Sequence, residues 1–357
     1  MKIGVLTGGG DCPGLNPAIK AIVNQAYEEG HGIIGIREGW KGLLKAKGDY
    51  IIELNPDSVR TIDRIGGTIL GTSRTNPFKS KEAEKKLLRN IKNLNLEGII
   101  AIGGEDTLGV AAKLYKSYSI PIVGVPKTID KDLSETDYTL GFSSAVEEIM
   151  QDIERLRTTT GSHKRVMVIE TMGRHAGHLA LVGGLAGGAD MILIPEYDFD
   201  IKRINRLLLK RKREGKRYSI VVVSEGAKPK NADESLSDKG VDEFGHARLG
   251  GIGNSLAKAI GKGTGIEARC TVLSHLQRGG SPSHRDRIIG YWFGVAAVEA
   301  LTKERYGRMV SLKGNEIVLA NLDDAVRELQ LVDTGKHYDS KNYNVKKGSI
   351  LGKSIYV

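Results

Sequence analysis

Short apolar runs alternate with helical patterns along almost the whole chain, and several of these runs end in a glycine-rich turn. KIGVLT (2–7) leads into a glycine turn and then a helix that begins near 16–18, where Pro17 suits a first helical turn. GIIAIGG (98–104) leads in the same way into a helix over Thr107–Lys116. The alternation predicts an α/β fold with mostly parallel sheets flanked by helices. Ligands of such folds bind at the carboxyl ends of the strands.

The same pattern continues to about residue 303. A strand followed by a loop is predicted over 121–128. Further strands are predicted over 165–173, 191–194, 218–226 and 268–275, and further helices over 175–187, 201–217, 252–261 and 286–303. A chain of 357 residues indicates two lobes, because domains have roughly 100–200 residues each. Two polar segments, 228–248 and the tail from about 334, are predicted to be loops.

The composition argues against several classes of protein. No run approaches the ~18 consecutive apolar residues of a membrane-spanning helix. The start reaches glycines after one short apolar stretch, so we expect no signal peptide. Cys12 and Cys270 are the only cysteines, which gives neither a disulfide framework nor a structural zinc site. A reducing cytoplasm is therefore the expected location.

The positive charge is concentrated in one segment. The formal net charge is +10, and residues 201–217 hold nine basic residues against one acid, Glu214. Apolar residues recur in this segment at helical spacing, which predicts an amphipathic surface helix with a solvated basic face. The alternative is a patch that binds nucleic acid or another polyanion.

Two glycine clusters follow predicted strands. In the first, Thr7–Gly14, the exposed backbone N–H groups would suit a phosphate, although a merely tight turn is the alternative. Cys12 within it is interpreted as a small space-filling residue. In the second, Gly103–Thr107, Glu105 and Asp106 offer hard oxygen ligands for Mg²⁺ on a polyphosphate. Ordinary helix capping would explain the same acids.

A third cluster, Pro126–Asp132, carries two carboxylates two residues apart, Asp130 and Asp132. One carboxylate can remove a proton while the other orients a group or a metal. Lys127 can neutralise a phosphate. The alternative is a charged surface loop whose ion pairs contribute little.

A fourth set consists of basic groups that could bind phosphate. Arginine donates paired hydrogen bonds that match phosphate oxygens, and a sugar phosphate needs several such donors. The set comprises Arg74, Arg165, Arg174, Arg269, His275 and Arg278. The remaining histidines of this region, His163, His175 and His178, are interpreted as structural.

Taken together and in order, these motifs resemble the 6-phosphofructokinase family over about residues 1–330. The order is GGGDCPGLN, GGTILGTSR, GGEDT, PKTIDKD, SHKRVMVIETMGRHAGH, SEG and ARCTVLSHLQRGGSP. The resemblance implies Mg²⁺-dependent phosphoryl transfer from a polyphosphate donor to the 1-hydroxyl of fructose 6-phosphate. It also implies a homo-oligomer, a dimer or a tetramer, because residues equivalent to Arg165 and Arg269 reach across from a neighbouring subunit in that family.

The resemblance assigns a role to each matching residue. For catalysis it implies Asp130 as the base, Thr128 as an orienting group, Asp132 as an assisting carboxylate and Arg174 as the group that stabilises the charged transition state. The sugar-phosphate ligands it implies are Met172, Gly173, Glu225, Arg165, Arg269, His275 and Arg278. The donor side it implies is Gly10, Arg74, Asp106 and Lys127, with Glu105 at the metal.

The identity of the donor depends on two of these positions. Members of the family that use ATP generally have glycine where Asp106 stands, whereas members that use pyrophosphate have aspartate there and lysine at Lys127. A carboxylate would crowd and repel the α-phosphate of a nucleotide, while an ammonium group complements a compact diphosphate. The resemblance therefore favours pyrophosphate. The alternatives are an ATP-dependent 6-phosphofructokinase and, more remotely, a polyanion-binding protein using the 201–217 helix.

The same resemblance divides the chain into lobes with an active site in the cleft between them. The larger, donor-binding lobe is expected to comprise 1–141 and about 276–304. The smaller, sugar-phosphate-binding lobe is expected to comprise 142–275 and about 305–335, followed by a C-terminal extension, 336–357. The sequence departs from the usual pattern at Glu105, where aspartate is common, and at Lys131, where asparagine or glycine is common.

Overall fold

The computed structural model describes residues 1–230 and 251–348, which form two compact units. The first unit comprises Met1–Ile129, Leu133–Ser144 and Arg278–Leu329. The second comprises Asp130–Asp132 and the described residues of Ala145–Gln277 and Gln330–Val357. Among the described helices, none has the length and apolar character needed to cross a bilayer.

The strands and helices follow one another in an α/β order. The strands are β1 (Lys2–Thr7), β2 (Gly32–Ile36), β3 (Ile51–Leu54), β4 (Gly98–Gly103), β5 (Ile122–Pro126), β6 (Val166–Thr171), β7 (Met191–Leu193), β8 (Ser219–Ser224), β9 (Ala268–Val272), β10 (Arg308–Lys313), β11 (Glu316–Asn321), β12 (Tyr338–Asp339) and β13 (Asn344–Val345). The helices are α1 (Leu15–Glu28), α2 (Trp40–Lys45), α3 (Lys81–Asn93), α4 (Glu105–Tyr118), α5 (Phe142–His163), α6 (His178–Ala186), α7 (Ile201–Arg213), α8 (Ile252–Thr264), α9 (His284–Thr302), α10 (Leu322–Ala325) and α11 (Thr334–His337).

The first unit contains a seven-stranded sheet in the order β11-β10-β5-β4-β1-β2-β3. Its central strands β1, β4 and β5 are parallel and almost wholly buried, as expected for apolar runs covered by helices on both faces. The edge strands β3 and β11 are antiparallel to their neighbours. The carboxyl ends of β1, β4 and β5 therefore lie at one edge of this sheet.

Helices α1 and α9 pack closely because glycine stands at their contact. A Cβ at Gly294 would lie 2.6 Å from the Cβ of Ala21, and one at Gly290 would lie 3.0 Å from the Cβ of Pro17. Larger side chains at these two positions would force the helices apart.

The second unit contains a four-stranded sheet, β7-β8-β6-β9, in which every pair is parallel. The basic helix α7 begins after Asp200, whose side chain accepts hydrogen bonds from the backbone N–H groups of Lys202 and Arg203. Ile204 and Leu208 are its buried residues. The basic side chains are largely at the surface, so the prediction of an amphipathic surface helix is confirmed.

The main differences from the sequence prediction lie after residue 304. Residues 305–329 were expected in the smaller lobe, but β10 pairs in parallel with β5 and carries β11 beside it, so this segment belongs to the first unit. The inner residues of β10 are buried, which explains why it completes that sheet. The tail was predicted to be loop, yet its described part forms α11, β12 and β13. Most of the predicted loop 228–248 lies outside the described residues.

Candidate active site

The turn after β1 is shaped by the residues packed against it. A Cβ at Gly8 would overlap the hydroxyl of Thr107, and a Cβ at Gly10 would overlap the guanidinium of Arg278. Gly9 has a φ of 79°, in the left-handed region that favours glycine. This turn, Gly8–Gly10, is called the glycine loop below. Gly9 is required by its backbone conformation and Gly8 by the packing of Thr107, whereas a side chain at Gly10 would displace the guanidinium of Arg278.

A buried ammonium group lies against the glycine loop. Lys127 is only 3% exposed, and its Nζ donates hydrogen bonds to the carbonyl oxygens of Gly8, at 2.7 Å, and of Gly10. The backbone N–H of Lys127 donates to the carbonyl of Gly103 at 2.9 Å. The positive charge is therefore fixed next to backbone groups at the carboxyl ends of β1, β4 and β5.

The first turn of α4 brings two carboxylates to the same edge of the sheet. Glu105 is exposed and Asp106 half-buried, and both lie in that first turn. Thr107, the next residue, is buried against Gly8 and Gly103, which fixes the start of the helix relative to the glycine loop. In residues 1–230 and 251–348 no three His, Cys, Asp or Glu side chains form a ready metal cage.

Arg74 and Arg278 reach the glycine loop from two other segments. The backbone N–H of Gly9 donates to the carbonyl of Ser73 at 3.1 Å, and exposed Arg74 directly follows Ser73, so this segment brings Arg74 close to the loop. Nη1 of Arg278 donates to the carbonyl of Asp11 at 3.1 Å. The first unit thus brings together the predicted donor residues Gly10, Arg74, Asp106 and Lys127. It also holds Arg278, which was predicted on the sugar side.

The segment from Tyr138 to Ser144 is anchored by a residue that the sequence analysis missed. Asp286 is fully buried and accepts hydrogen bonds from the backbone N–H groups of Gly141, at 2.7 Å, and Ser144, at 2.9 Å, and from the hydroxyl of Tyr138, at 2.9 Å. The hydroxyl of Thr139 donates to the carbonyl of Thr128 at 2.7 Å. A lone aspartate at the start of a predicted helix gave no signal of this role.

Cys12 is a neutral, space-filling residue. Its thiol is fully buried and donates to the carbonyl of Leu140 at 3.4 Å. Burial raises the pKa of the thiol to about 12, so the group stays protonated at neutral pH. The structure gives it no means of becoming a nucleophile.

The second unit gathers carboxylates and backbone turns at the carboxyl ends of β6 and β8. Asp130 is 5% exposed. Glu225 directly follows β8, and its Oε1 accepts a hydrogen bond from the backbone N–H of Arg174 at 3.3 Å. Burial, followed by the negative charge of Asp130, raises the pKa of Glu225 to about 7. A buried carboxyl group with a raised pKa next to a second carboxylate is typical of functional sites.

The turn after β6 depends on glycine and on a second residue that the sequence analysis did not single out. Gly173 has a φ of 135°, and a Cβ there would lie 2.6 Å from the carbonyl oxygen of Ala176. The backbone N–H of Met172 donates to Oε1 of Gln277 at 3.2 Å. Gln277 is buried, so it fixes Met172 relative to the segment that carries His275.

Two of the predicted sugar-phosphate ligands lie at the other end of the same sheet. Arg165 immediately precedes β6, and Arg269 is the second residue of β9, which is parallel to β6. Both contact Glu267, with Arg165 Nη1 at 3.5 Å and Arg269 Nε at 2.9 Å from its Oε1. Strands rise about 3.3 Å per residue, so the six residues of β6 separate this pair from Met172 by roughly 20 Å.

The chain is similar to known proteins along most of its length. A family model described as "Phosphofructokinase" matches residues 2–301. A "Pyrophosphate--fructose 6-phosphate 1-phosphotransferase" from Dictyoglomus thermophilum is 55% identical over 319 residues, which is 89% of this chain and 91% of the relative. An "ATP-dependent 6-phosphofructokinase 3" from Streptomyces coelicolor is 44% identical over 342 residues, 96% of this chain and 99% of the relative.

The fold has a match among solved structures as well. The crystal structure of pyrophosphate-dependent phosphofructokinase from Nitrosospira multiformis superimposes with a TM-score of 0.83 at 23% identity, covering 97% of this chain and 89% of that chain. At this identity the likeness concerns the fold alone.

Proposed function

The chain belongs to the phosphofructokinase family, and we propose that it transfers a phosphoryl group from pyrophosphate to the 1-hydroxyl of fructose 6-phosphate. The products are fructose 1,6-bisphosphate and orthophosphate, and the step is reversible. The observation that carries this proposal is the buried Lys127 ammonium beneath the glycine loop, combined with Asp106 on the first turn of α4. The similarity to a relative named for the pyrophosphate reaction supports it.

The proposed donor site favours the binding of a small, highly charged anion. The backbone N–H groups of Gly8 and Gly9 donate to the carbonyls of Ile102 and Ser73 within the fold, so the expectation that they bind phosphate does not hold for these two residues. Lys127 supplies a positive charge that its own hydrogen bonds hold in place. Gly10 and Arg74 complete the proposed pyrophosphate ligands. The half-buried Asp106 carboxylate would repel and crowd the α-phosphate of a nucleotide. A diphosphate, which has no further group beyond its second phosphorus, avoids that clash.

Glu105 and Asp106 fit a bound Mg²⁺. This ion is usually held by one or two carboxylates together with substrate phosphates, so it needs no cage made of protein alone. The exposed Glu105 and the half-buried Asp106 provide hard oxygen ligands next to the proposed phosphate site. When bound, Mg²⁺ would neutralise charge on the pyrophosphate oxygens.

Asp130 is proposed as the general base. Its carboxylate accepts the proton of the sugar 1-hydroxyl as that oxygen forms a bond to phosphorus, and the bond from phosphorus to the departing orthophosphate breaks. Thr128 orients the reacting groups, and Asp132 assists. Arg174 supplies positive charge for the transition state. Lys127 and Asp130 are three residues apart in sequence, so one short segment carries both a donor-binding group and the base.

The sugar is proposed to bind at the turn after β6. Met172, Gly173 and Glu225 contact its hydroxyls, and His275 and Arg278 bind its 6-phosphate. With a pKa of about 7, Glu225 exchanges its proton near neutral pH, so it can donate a hydrogen bond to a hydroxyl or accept one from it.

Arg165 and Arg269 lie at the opposite end of the sheet, which supports their proposed role in the sugar site of a neighbouring subunit. The protein is accordingly proposed to be a homo-oligomer, a dimer or a tetramer, in the cytoplasm.

Two other functions have some support. The relative named for ATP-dependent activity, at 44% identity, favours ATP as the alternative donor. The exposed basic side chains of α7 favour a polyanion-binding function, which would weaken steeply with rising salt.

One assay separates these possibilities. Purified protein is incubated with fructose 6-phosphate and Mg²⁺, with pyrophosphate, ATP or ADP as donor, and fructose 1,6-bisphosphate is measured. We expect product with pyrophosphate at a rate far above that with either nucleotide. A higher rate with ATP would overturn the donor assignment, and absence of product with every donor would overturn the proposed reaction.

A further inference from the structure

The segment Gln330–Val332, called the strap below, connects three parts of the second unit through main-chain hydrogen bonds. The backbone N–H of Gln330 donates to the carbonyl of Asp132 at 2.8 Å. The backbone N–H of Val332 donates to Oε1 of Glu196 at 2.9 Å. The carbonyl of Gln330 lies 2.8 Å from Nε2 of His178. The strap thus joins the segment that carries the proposed base to the beginning of α6.

His178 is the donor in its contact with the strap. A carbonyl oxygen only accepts, so Nε2 of His178 must carry the hydrogen. The side chain is 1% exposed at the first position of α6. Burial lowers the pKa of this imidazole to about 4, so at neutral pH the ring is neutral with its single proton on Nε2. The hydrogen bond is therefore made by one defined tautomer.

The loop that the strap holds is under backbone strain. Lys131, between Asp130 and Asp132, has a φ of 55° and is 6% exposed. The left-handed region is unfavourable for a residue with a Cβ, and such conformations persist only where surrounding contacts enforce them. The hydrogen bond from Gln330 to Asp132 is one such contact.

A second anchor keeps the strap in register with α6. Oε1 of Glu196 accepts from the backbone N–H of Val332 and also from that of Gly177, at 2.8 Å. Gly177 directly precedes His178. The strap is therefore held at both of its ends relative to the N-terminus of α6, and a shift of the strap would have to break bonds at both ends.

We propose that His178 is a positioning residue, which acts through the strap to hold the Asp130–Asp132 loop in the geometry that the reaction requires. The proposal rests on the proposed function, because it takes Asp130 as the base. It also gives the C-terminal part of the chain a role at the site, since Gln330 belongs to the strap and the described residues up to 348 belong to the same unit. His178 itself touches no substrate in this account.

The test compares two replacements of His178. His178→Leu keeps apolar volume and removes the donor, while His178→Gln places an amide donor close to the position of Nε2. A misplacement of about 1 Å in a reacting group can cost up to ~10² in rate, so we expect His178→Leu to lower kcat by roughly 10-fold or more. KM for pyrophosphate should change less than about threefold, because the donor ligands belong to the first unit. His178→Gln should recover most of the lost kcat.

Tyr343→Phe is the matched control. Tyr343 is also buried in the C-terminal segment, and its hydroxyl accepts a hydrogen bond from the backbone N–H of Asp200 at 2.8 Å, away from the strap. It should lower thermal stability and leave kcat unchanged. Equal kcat values in His178→Leu and the unmodified enzyme, or an equal loss in His178→Leu and Tyr343→Phe, would overturn the proposal. If His178→Leu does not fold, His178→Asn, whose amide is too short to reach the strap, replaces it with the same expectations.

Asp130→Asn in the same assay distinguishes a failure of the positioning role of His178 from a failure of the proposed function. Loss of turnover in Asp130→Asn combined with normal kcat in His178→Leu would contradict the positioning role alone. Normal turnover in Asp130→Asn would remove Asp130 as the base and the positioning role with it.

Discussion

The two units differ in how complete their binding groups are within one chain. In the first unit the glycine loop, Lys127 and the start of α4 lie at one edge of one sheet and fix one another through hydrogen bonds and close packing. In the second unit, Glu225 and the turn after β6 lie at one end of the sheet, while Arg165 and Arg269 lie at the other. The donor half of the proposed site lies within one chain, whereas the proposed acceptor residues lie at both ends of one sheet, which supports the proposal that a second copy contributes to that half.

The largest effect is expected at Asp130, the proposed general base. Asp130→Asn removes the proposed proton acceptor and keeps the size of the side chain, so kcat should fall by ~10²–10⁴. KM for pyrophosphate should stay nearly unchanged. Steady-state kinetics in both substrates measure this, and near-normal turnover would exclude Asp130 as the base.

A mixing experiment tests whether the acceptor half is shared between subunits. Arg165→Ala and Asp130→Asn should each be nearly inactive alone. If Arg165 serves the site of a neighbouring subunit, a mixed dimer contains one site with both residues intact. Random reassociation of equal amounts should then restore about a quarter of normal turnover, since half of the dimers are mixed and one of their two sites is intact.

The control for that experiment is the same mixture without reassociation. The two variants are combined after folding, under conditions in which subunits do not exchange, and activity should stay at the level of the separate variants. No recovery after reassociation would indicate that each chain forms its own site.

A smaller effect is expected from the titration of Glu225. Its pKa is raised from 4.5 to about 7 in the folded protein, so the folded state keeps a proton that the unfolded state has lost between these values. The stability contributed by this proton is complete below the unfolded pKa and is lost as pH rises through about 7.

Glu225→Gln removes this titration. Between about pH 5 and about pH 8, the free energy of unfolding of the unmodified protein should fall by about 2 kcal/mol more than that of the variant. Urea unfolding at the two pH values measures the difference. Identical pH dependence in the two proteins would mean that Glu225 ionises normally, and the coupling to Asp130 would have to be abandoned.

The sequence predicted the elements whose signal is local. The runs 2–7 and 98–104 became β1 and β4 because an apolar run followed by glycine specifies a strand and a turn without reference to the rest of the chain. The basic run became α7 because its apolar residues recur at helical spacing, which is also a local signal. The long helix α5 was missed, although it is the longest helix described.

Contacts between distant residues could not be predicted in this way. Assigning 305–329 to the first unit depends on the pairing of β10 with β5, more than 180 residues earlier in the chain. The roles of Asp286, Gln277 and His178 arise from hydrogen bonds to segments far away in sequence. A single Asp, Gln or His has no local pattern that distinguishes these roles. The motifs singled out most of the predicted site residues, whereas their roles, and the choice of Met172, Gly173 and Glu225, came from the resemblance, which carries such long-range information.

The most direct test of the account is the ratio of kcat/KM for pyrophosphate to that for ATP, measured in the unmodified enzyme and in Asp106→Gly. Removing the carboxylate relieves both the repulsion and the crowding of a nucleotide. The account predicts a ratio of at least ~10² in the unmodified enzyme, falling by roughly 10-fold or more in the variant. A ratio below one in the unmodified enzyme would contradict it.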